Sequence, residues 1–253
     1  MLTRILYIAA EAGEIIRNGF GGNINIEYKT NESNLVTDID KKAESKIIDF
    51  VKTEFPTHNI ISEESGTLNN SSEYTWIIDP LDGTTNFAHG LPIFSVSIGV
   101  QKNGITQWGV VYDIMRNVFY TAELGSGSFA DDKKLQVSSN DNLAHSVLAT
   151  GFPYNVKDNP LLAVKHFSDF LVKTRTIRRL GSAALDLCYI ASGVFDGMWD
   201  SRLGAWDICA GQLILEEAGG LATDYIGEKI DYDNVQILAS NGKIHSKMME
   251  ILQ

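Results

Sequence analysis

A chain of 253 residues with 44% hydrophobic content can bury a substantial core, in one large domain or in two closely packed halves. Its net charge of −11 argues against nonspecific binding to nucleic acid or to an anionic membrane, both of which reward clustered Lys and Arg.

In chain order, Leu2, Ile5, Leu6, Ala9, Ala12 and Ile16 form a helical stripe interrupted by Arg4, Glu11 and Glu14. No continuous apolar leader or membrane span is expected there, and the cytoplasm is the default compartment. Asn34 to Thr37 leads into a second helix with Ile39, Ala43, Ile47, Phe50 and Val51 on one face. Ile60-Ile61 reads as a short buried strand ending at Ser62, Glu63 and Glu64, and Trp76 to Ile78 as another ending at Asp79. Both strands carry acids at their C-terminal ends. From Phe94 to Glu123 the pattern becomes an antiparallel meander, with hairpin turns at Lys102-Asn103-Gly104 and Met115-Arg116-Asn117. Gly125-Ser126-Gly127 lacks the rest of either nucleotide-binding fingerprint and reads as a hairpin turn.

The second half resumes α/β alternation. It holds a strand at Ser146 to Thr150, a helix from about Pro160 to Lys173, and a strand near Thr176 to Arg178. A helix then starts at Gly181-Ser182-Ala183-Ala184 and carries Leu185, Cys188, Tyr189 and Ala191. Phe195 to Asp200 is a strand, and Trp206 to Ala218 a helix stopped by Gly219-Gly220. A strand at Val235 to Ser240 and a helix at Ile244 to Leu252 finish the chain. Cys188 and Cys209 both fall in apolar helical patterns, as buried free thiols rather than a disulfide or metal pair. The mixture predicts layered sheets and helices.

Function is concentrated in the run Trp76-Ile77-Ile78-Asp79-Pro80-Leu81-Asp82-Gly83-Thr84-Thr85-Asn86-Phe87. An apolar strand delivers two carboxylates into a turn, and Gly83 opens onto residues suited to a helix start. Carboxylates supply the oxygen ligands that Mg²⁺ prefers, and the free N–H groups and macrodipole of a helix start favour a phosphate. A plain turn at Asp82-Gly83 requires neither the second aspartate nor the threonine pair. The covalent aspartyl-phosphate phosphatases place two aspartates at i and i+2 after a strand. Here the acids stand at i and i+3, which counts against a nucleophile at Asp79.

Asp79-Pro80-Leu81-Asp82-Gly83-Thr84-Thr85-Asn86 resembles the central signature of the inositol monophosphatase family. Three further segments fit in order: Leu35-Val36-Thr37-Asp38-Ile39-Asp40; Glu63-Glu64-Ser65, with Ser62 where the family usually has glycine; and Trp206-Asp207-Ile208-Cys209-Ala210-Gly211. The match runs from about residue 35 to Gly220. It implies an α/β/α/β/α sandwich, with residues 1–253 as a single phosphatase domain. Its halves are 1–139, which binds metal, and 140–253, which completes the metal and substrate site. It further implies hydrolysis of a small phosphorylated polyol or sugar, such as inositol 1-phosphate, by direct attack of metal-activated water. Relatives also act on fructose 1,6-bisphosphate, histidinol phosphate, NADP or 3′-phosphoadenosine 5′-phosphate. Thr85-Asn86-Phe87 resembles the inositol phosphatase branch more than the nucleotide branch. Lithium inhibition and a homodimer are implied as well.

By the same resemblance, Glu63, Asp79 and the backbone carbonyl of Leu81 hold one Mg²⁺, and Asp79, Asp82 and Asp207 hold a second. Glu63 helps place a third through water. The attacking water is oriented by Thr84, whose hydroxyl pairs with Asp40, and phosphate oxygens meet the N–H groups of Gly83 and Thr84. Asp200 takes the place of a family glutamate that binds inositol hydroxyls, and Asp82, Gly181, Ser182 and Ala183 line the same pocket. Each residue also has a plainer reading. Thr37-x-x-Asp40 looks like a capping box with Asp for Glu, and Asp207 like an N-cap. Glu63 and Glu64 look like solvated loop acids, Gly181 to Ala183 like a helix start with small residues for close packing, and Arg178 and Arg179, which could offer charge to a second phosphate, like surface arginines. A non-catalytic regulatory protein on the same fold is the alternative of another class.

Overall fold

An apolar stripe on a helix has to be covered, and the first two helices share one cover. The computed structural model describes residues 1–28, 35–158 and 162–253. In it, α1 (Leu2–Gly19) buries Ile5, Ile8, Ala9, Ala12 and Ile16, and α2 (Asp38–Glu54) buries Ile39, Ala43, Ile47 and Val51. Phe50 is only half-buried and meets Phe55 edge-on. The expected lead-in to α2 starts at Asn34, outside the described residues. Leu35–Thr37 is a strand, β2, which pairs antiparallel with β1 (Ile26–Tyr28).

The surface under α1 and α2 is one face of an eight-stranded sheet. Its strands are β3 (Asn59–Ser62), β4 (Gly66–Leu68), β5 (Tyr74–Asp82), β6 (Ser95–Lys102), β7 (Ile105–Asp113), β8 (Val118–Glu123), β9 (Gly127–Ala130) and β10 (Lys133–Lys134), in the order β10-β9-β8-β7-β6-β5-β3-β4. β3 and β5 run parallel, and the other neighbours run antiparallel. The meander is therefore present where expected. Asn103 and Gly104 both take positive φ in the β6–β7 turn, and Asn117 does so in the β7–β8 turn. Trp76, Ile78, Val96, Ile98, Val100 and Val110 face α1 and α2 in a common core.

The other face of this sheet receives α5 (Ala183–Ala191) and α6 (Ala205–Glu217). α6 approaches at backbone distance because Gly99 and Gly109 are cross-strand partners beneath it. A Cβ at Gly99 would lie 2.5 Å from the Cys209 sulfur, and one at Gly109 would lie 2.7 Å from the Ala210 carbonyl. The far sides of α5 and α6 pack on a five-stranded sheet. That sheet has the order β12-β11-β13-β15-β14, from β11 (Val147–Thr150), β12 (Thr176–Arg178), β13 (Gly197–Leu203), β14 (Leu221–Thr223) and β15 (Val235–Ser240). Its outer face is covered by α4 (Ala163–Leu171) and α7 (His245–Leu252), through Phe170, Met248, Ile251 and Leu252 on Leu148, Trp199 and Leu238. The layers read α/β/α/β/α. The predicted helix start at Pro160 lies outside the described residues. Cys188 and Cys209 are free and buried in the middle layer, and among the described residues no helix is long and apolar enough to cross a membrane.

Candidate active site

The sequence reading ends the strand at Asp79; β5 instead runs on to Asp82, and the reason is a bulge. Asp79 pairs with Ser97 and Asp82 with Ser95, so three steps on β5 face two on β6. One extra residue restores two side chains at i and i+3 to the same face, where a regular strand would oppose them. Pro80, which has no N–H to give a ladder, sits inside the irregularity. The Asp79 carboxylate closes it by accepting from the Leu81 N–H at 2.9 Å. Gly83 follows at φ +97° and caps the short helix α3 (Thr84–Ala88). A Cβ there would lie 3.0 Å from the Ile93 carbonyl and 3.1 Å from that of Gly181.

Asp207 arrives from the opposite layer, in the first turn of α6. It is not the N-cap: Gly204 is, and the Asp207 carboxylate reaches back to accept the Gly204 N–H at 2.5 Å. Asp79, Asp82 and Asp207 thereby bring one carboxylate oxygen each within 4.8 Å of one another. Burial is the first cause that raises all three carboxyls above the usual range, with Asp82 pushed up to about 6. Repulsion from Glu63 adds to each. Such crowding is costly without a cation, and three hard oxygen donors suit a divalent ion that favours oxygen.

Asp82 is held by the start of α5. One of its oxygens accepts from the Ser182 hydroxyl at 2.5 Å and the Ala184 N–H at 2.9 Å, and the other from the Ala183 N–H at 3.3 Å. The helix start that the sequence offers to a substrate hydroxyl is thus in contact with a candidate metal ligand. Gly181 is tied in through Asn86, whose amide donates to the Leu180 and Ile93 carbonyls at 2.7 Å each.

For Asp40 the two readings hold together, one oxygen apiece. Oδ2 accepts the Thr37 N–H at 3.0 Å and the Thr37 hydroxyl, while Thr37 Oγ1 receives the Ile39 and Asp40 N–H groups, completing the capping box. Oδ1 accepts the Thr84 hydroxyl at 2.8 Å. Thr84 Oγ1 also lies 3.0 Å from the Leu81 carbonyl oxygen. Burial raises the Asp40 carboxyl, against the lowering effect of these hydroxyls.

Glu63 is half-buried just past the end of β3, with its N–H on the Ile78 carbonyl at 3.2 Å. Asp200 is buried on β13 and its carboxyl is pushed up to about 7 by burial; the nearby Arg179 charge acts in the opposite direction. A bulge between Ser201 and Leu203, with Arg202 at φ +62°, follows it. Sequence reasoning passes over Glu44, which is buried on α2 and accepts from Ser62, Glu64 and Ser65. Its signal was its place one turn after Asp40 on the same helix face.

A family model described as the inositol monophosphatase family matches residues 2–253. The chain is 40% identical to the protein named Nus factor SuhB of Pasteurella multocida, over 100% of this chain and 96% of that one. Among solved structures, it is similar to the extragenic suppressor protein suhB of Bartonella henselae at 35% identity and a TM-score of 0.94, covering 99% of this chain and 97% of that one. It is also similar to the inositol monophosphatase of Anabaena (Nostoc) sp. at 37% identity and a TM-score of 0.87, over 99% and 94% of the two chains.

Proposed function

The chain belongs to the inositol monophosphatase family, and on that premise we propose that it is a Mg²⁺-dependent phosphomonoesterase acting on a small phosphorylated polyol or sugar such as inositol 1-phosphate. One observation carries the reading: three aspartates from two layers converge within 4.8 Å, on the side where Glu63 is felt by all of them. Asp79, the Leu81 carbonyl and Glu63 would hold one ion, and Asp79, Asp82 and Asp207 another, with Glu63 assisting a third. When bound, the ions activate a water for in-line displacement and stabilise the departing alkoxide.

The chain's own groups do the positioning. A hydroxyl has one proton to give. With the Leu81 carbonyl engaged elsewhere, Thr84 donates to Asp40 and turns its lone pairs toward the attacking water. The Asp40 carboxylate, whose hold on a proton is raised by burial, receives the Thr84 hydroxyl proton at Oδ1 as Thr84 Oγ1 takes one from the water. The N–H groups of Gly83 and Thr84 are the donors for phosphate oxygens. Ser182, Ala183 and Ala184 fix Asp82, and Asp82 with Asp200, Gly181, Ser182 and Ala183 forms the wall for the alcohol.

The test is phosphate release by the purified chain with Mg²⁺, lost on EDTA addition and restored by excess Mg²⁺. Inositol 1-phosphate, fructose 1,6-bisphosphate, histidinol phosphate, NADP and 3′-phosphoadenosine 5′-phosphate should be compared by kcat/KM. Inhibition by lithium and a homodimer in solution belong to the same reading, as does a cytoplasmic location. Trapping of a phosphoaspartate at Asp79 would instead support covalent catalysis. A second reading, a regulatory protein on this fold, is favoured by the Nus factor name of the Pasteurella relative. Failure to release phosphate from any of the five esters at saturating Mg²⁺ would favour it.

A further inference from the structure

Glu44 is 3% exposed and surrounded by donors from a single short segment. Its Oε1 accepts the Ser62 hydroxyl and the Glu64 and Ser65 N–H groups, each at 3.0 Å for the two amides, and its Oε2 accepts the Ser65 hydroxyl. Four donors on one carboxylate fix the backbone on both sides of Glu63. From the sheet side, the Ile78 carbonyl takes the Glu63 N–H, and Ser62 pairs with Ile78 in the parallel register of β3 and β5. Glu63 is therefore gripped before, at and after its own position. Glu44 also stands four residues after Asp40 on α2, about 6 Å further along the same helix face. One rigid element thus reaches both the Thr84 hydroxyl and the Glu63 segment.

We propose that Glu44 is a positioning residue that aims Glu63 at the shared cation site, and that Ser62 is part of the clamp. This rests on the reading in which Glu63 helps hold metal. Ser62 stands where the resemblance leads one to expect glycine, so its hydroxyl bond to Glu44 is a feature a glycine there would not supply. Preorganisation of this kind acts on cation affinity: partners one shell out from the ligands typically change it by about 10–100-fold.

The experiment is titration calorimetry of Mn²⁺ and Mg²⁺ into the metal-free full chain, for wild type, Glu44→Ala, Glu44→Gln, Ser62→Gly and Asp79→Asn, alongside melting temperatures. Glu44→Gln keeps an acceptor for the three donors on Oε1, and its amide can donate to the Ser65 oxygen. Its dissociation constant should stay within about threefold of wild type. Glu44→Ala should weaken binding about 10–100-fold and Ser62→Gly by about threefold or more, by analogy with other outer-shell partners. In turnover, the Mg²⁺ concentration for half-maximal rate should rise in the same order, while kcat at saturating Mg²⁺ is largely recovered. A melting temperature lowered in Glu44→Ala with unchanged cation affinity overturns the proposal. If Glu44→Ala does not fold, Ser62→Gly decides, and an unchanged dissociation constant overturns it. Asp79→Asn separates the two levels: wild-type affinity in that variant means that the site reading itself has failed, whatever Glu44 does.

Discussion

Asp40 divides its two oxygens between holding the start of α2 and receiving Thr84, so a substitution there mixes folding with chemistry. Thr84 offers a cleaner probe. Thr84→Ser keeps the hydroxyl and should keep activity within a few fold, whereas Thr84→Ala should lower kcat by about a hundredfold, the scale of one proton-transfer group. Steady-state kinetics at saturating Mg²⁺ measures both. Asp79→Asn removes the carboxylate proposed to bridge two ions and should cut turnover by more than about a thousandfold, because several kcal/mol of charge stabilisation would go with it. It should not lower the melting temperature in EDTA, since it also relieves a crowded acid. At this scale the sequence was informative. Asp79, Asp82 and Asp207 meet as the family resemblance implies. What it left faint was Glu44, whose only sequence signal is its place one turn after Asp40 and whose role is defined by the contacts of Ser62 and Ser65.

Among elements, the bulge in β5 was illegible because Pro80 conventionally marks the end of a strand; only its partner β6 reveals that pairing resumes at Asp82. Short edge strands such as β4, β10 and β14 were missed for a related reason. Two or three residues carry no period, and their identity comes from the strand beside them. The helix stripes, by contrast, are local: Ile5, Ala9, Ala12 and Ile16 in α1 and Ile39, Ala43, Ile47 and Val51 in α2 are buried as the periodicity predicts, while Leu2, Leu6 and Phe50 are half-buried. Gly99 and Gly109 gave no signal either, since their meaning is the passage of α6 overhead. Gly99→Ala should cost about 1–3 kcal/mol through overpacking against Cys209, seen in chemical denaturation. It should also raise the Mg²⁺ requirement, because the helix that has to give way carries Asp207.

For the molecule as a whole, the buried acids tie stability to pH and to cations. Asp82 rises to about 6 and Asp200 to about 7 in the folded chain, from an ordinary value of 3.8. A folded state that holds its protons more tightly than the unfolded one is favoured at low pH. That advantage is complete below the unfolded value and is lost as pH climbs through the folded one. For Asp82 it is worth on the order of 3 kcal/mol. The melting temperature in EDTA should therefore fall between about pH 4 and 7, and added Mg²⁺ should stabilise more at pH 7 than at pH 5, where protons compete for the same oxygens. Scanning calorimetry across that range with and without Mg²⁺ checks both slopes. A ribosome delivers Glu63, Asp79 and Asp82 long before it delivers the α5 start that cradles Asp82 or the α6 turn that brings Asp207. The nascent polypeptide has the early acids but neither their cradle nor their fourth member, so it has no cage to gather ions prematurely. On the proposed reading, hydrolysis would require the later layers to be docked, since they carry the α5 start and Asp207, and a protease cut that frees them would abolish it.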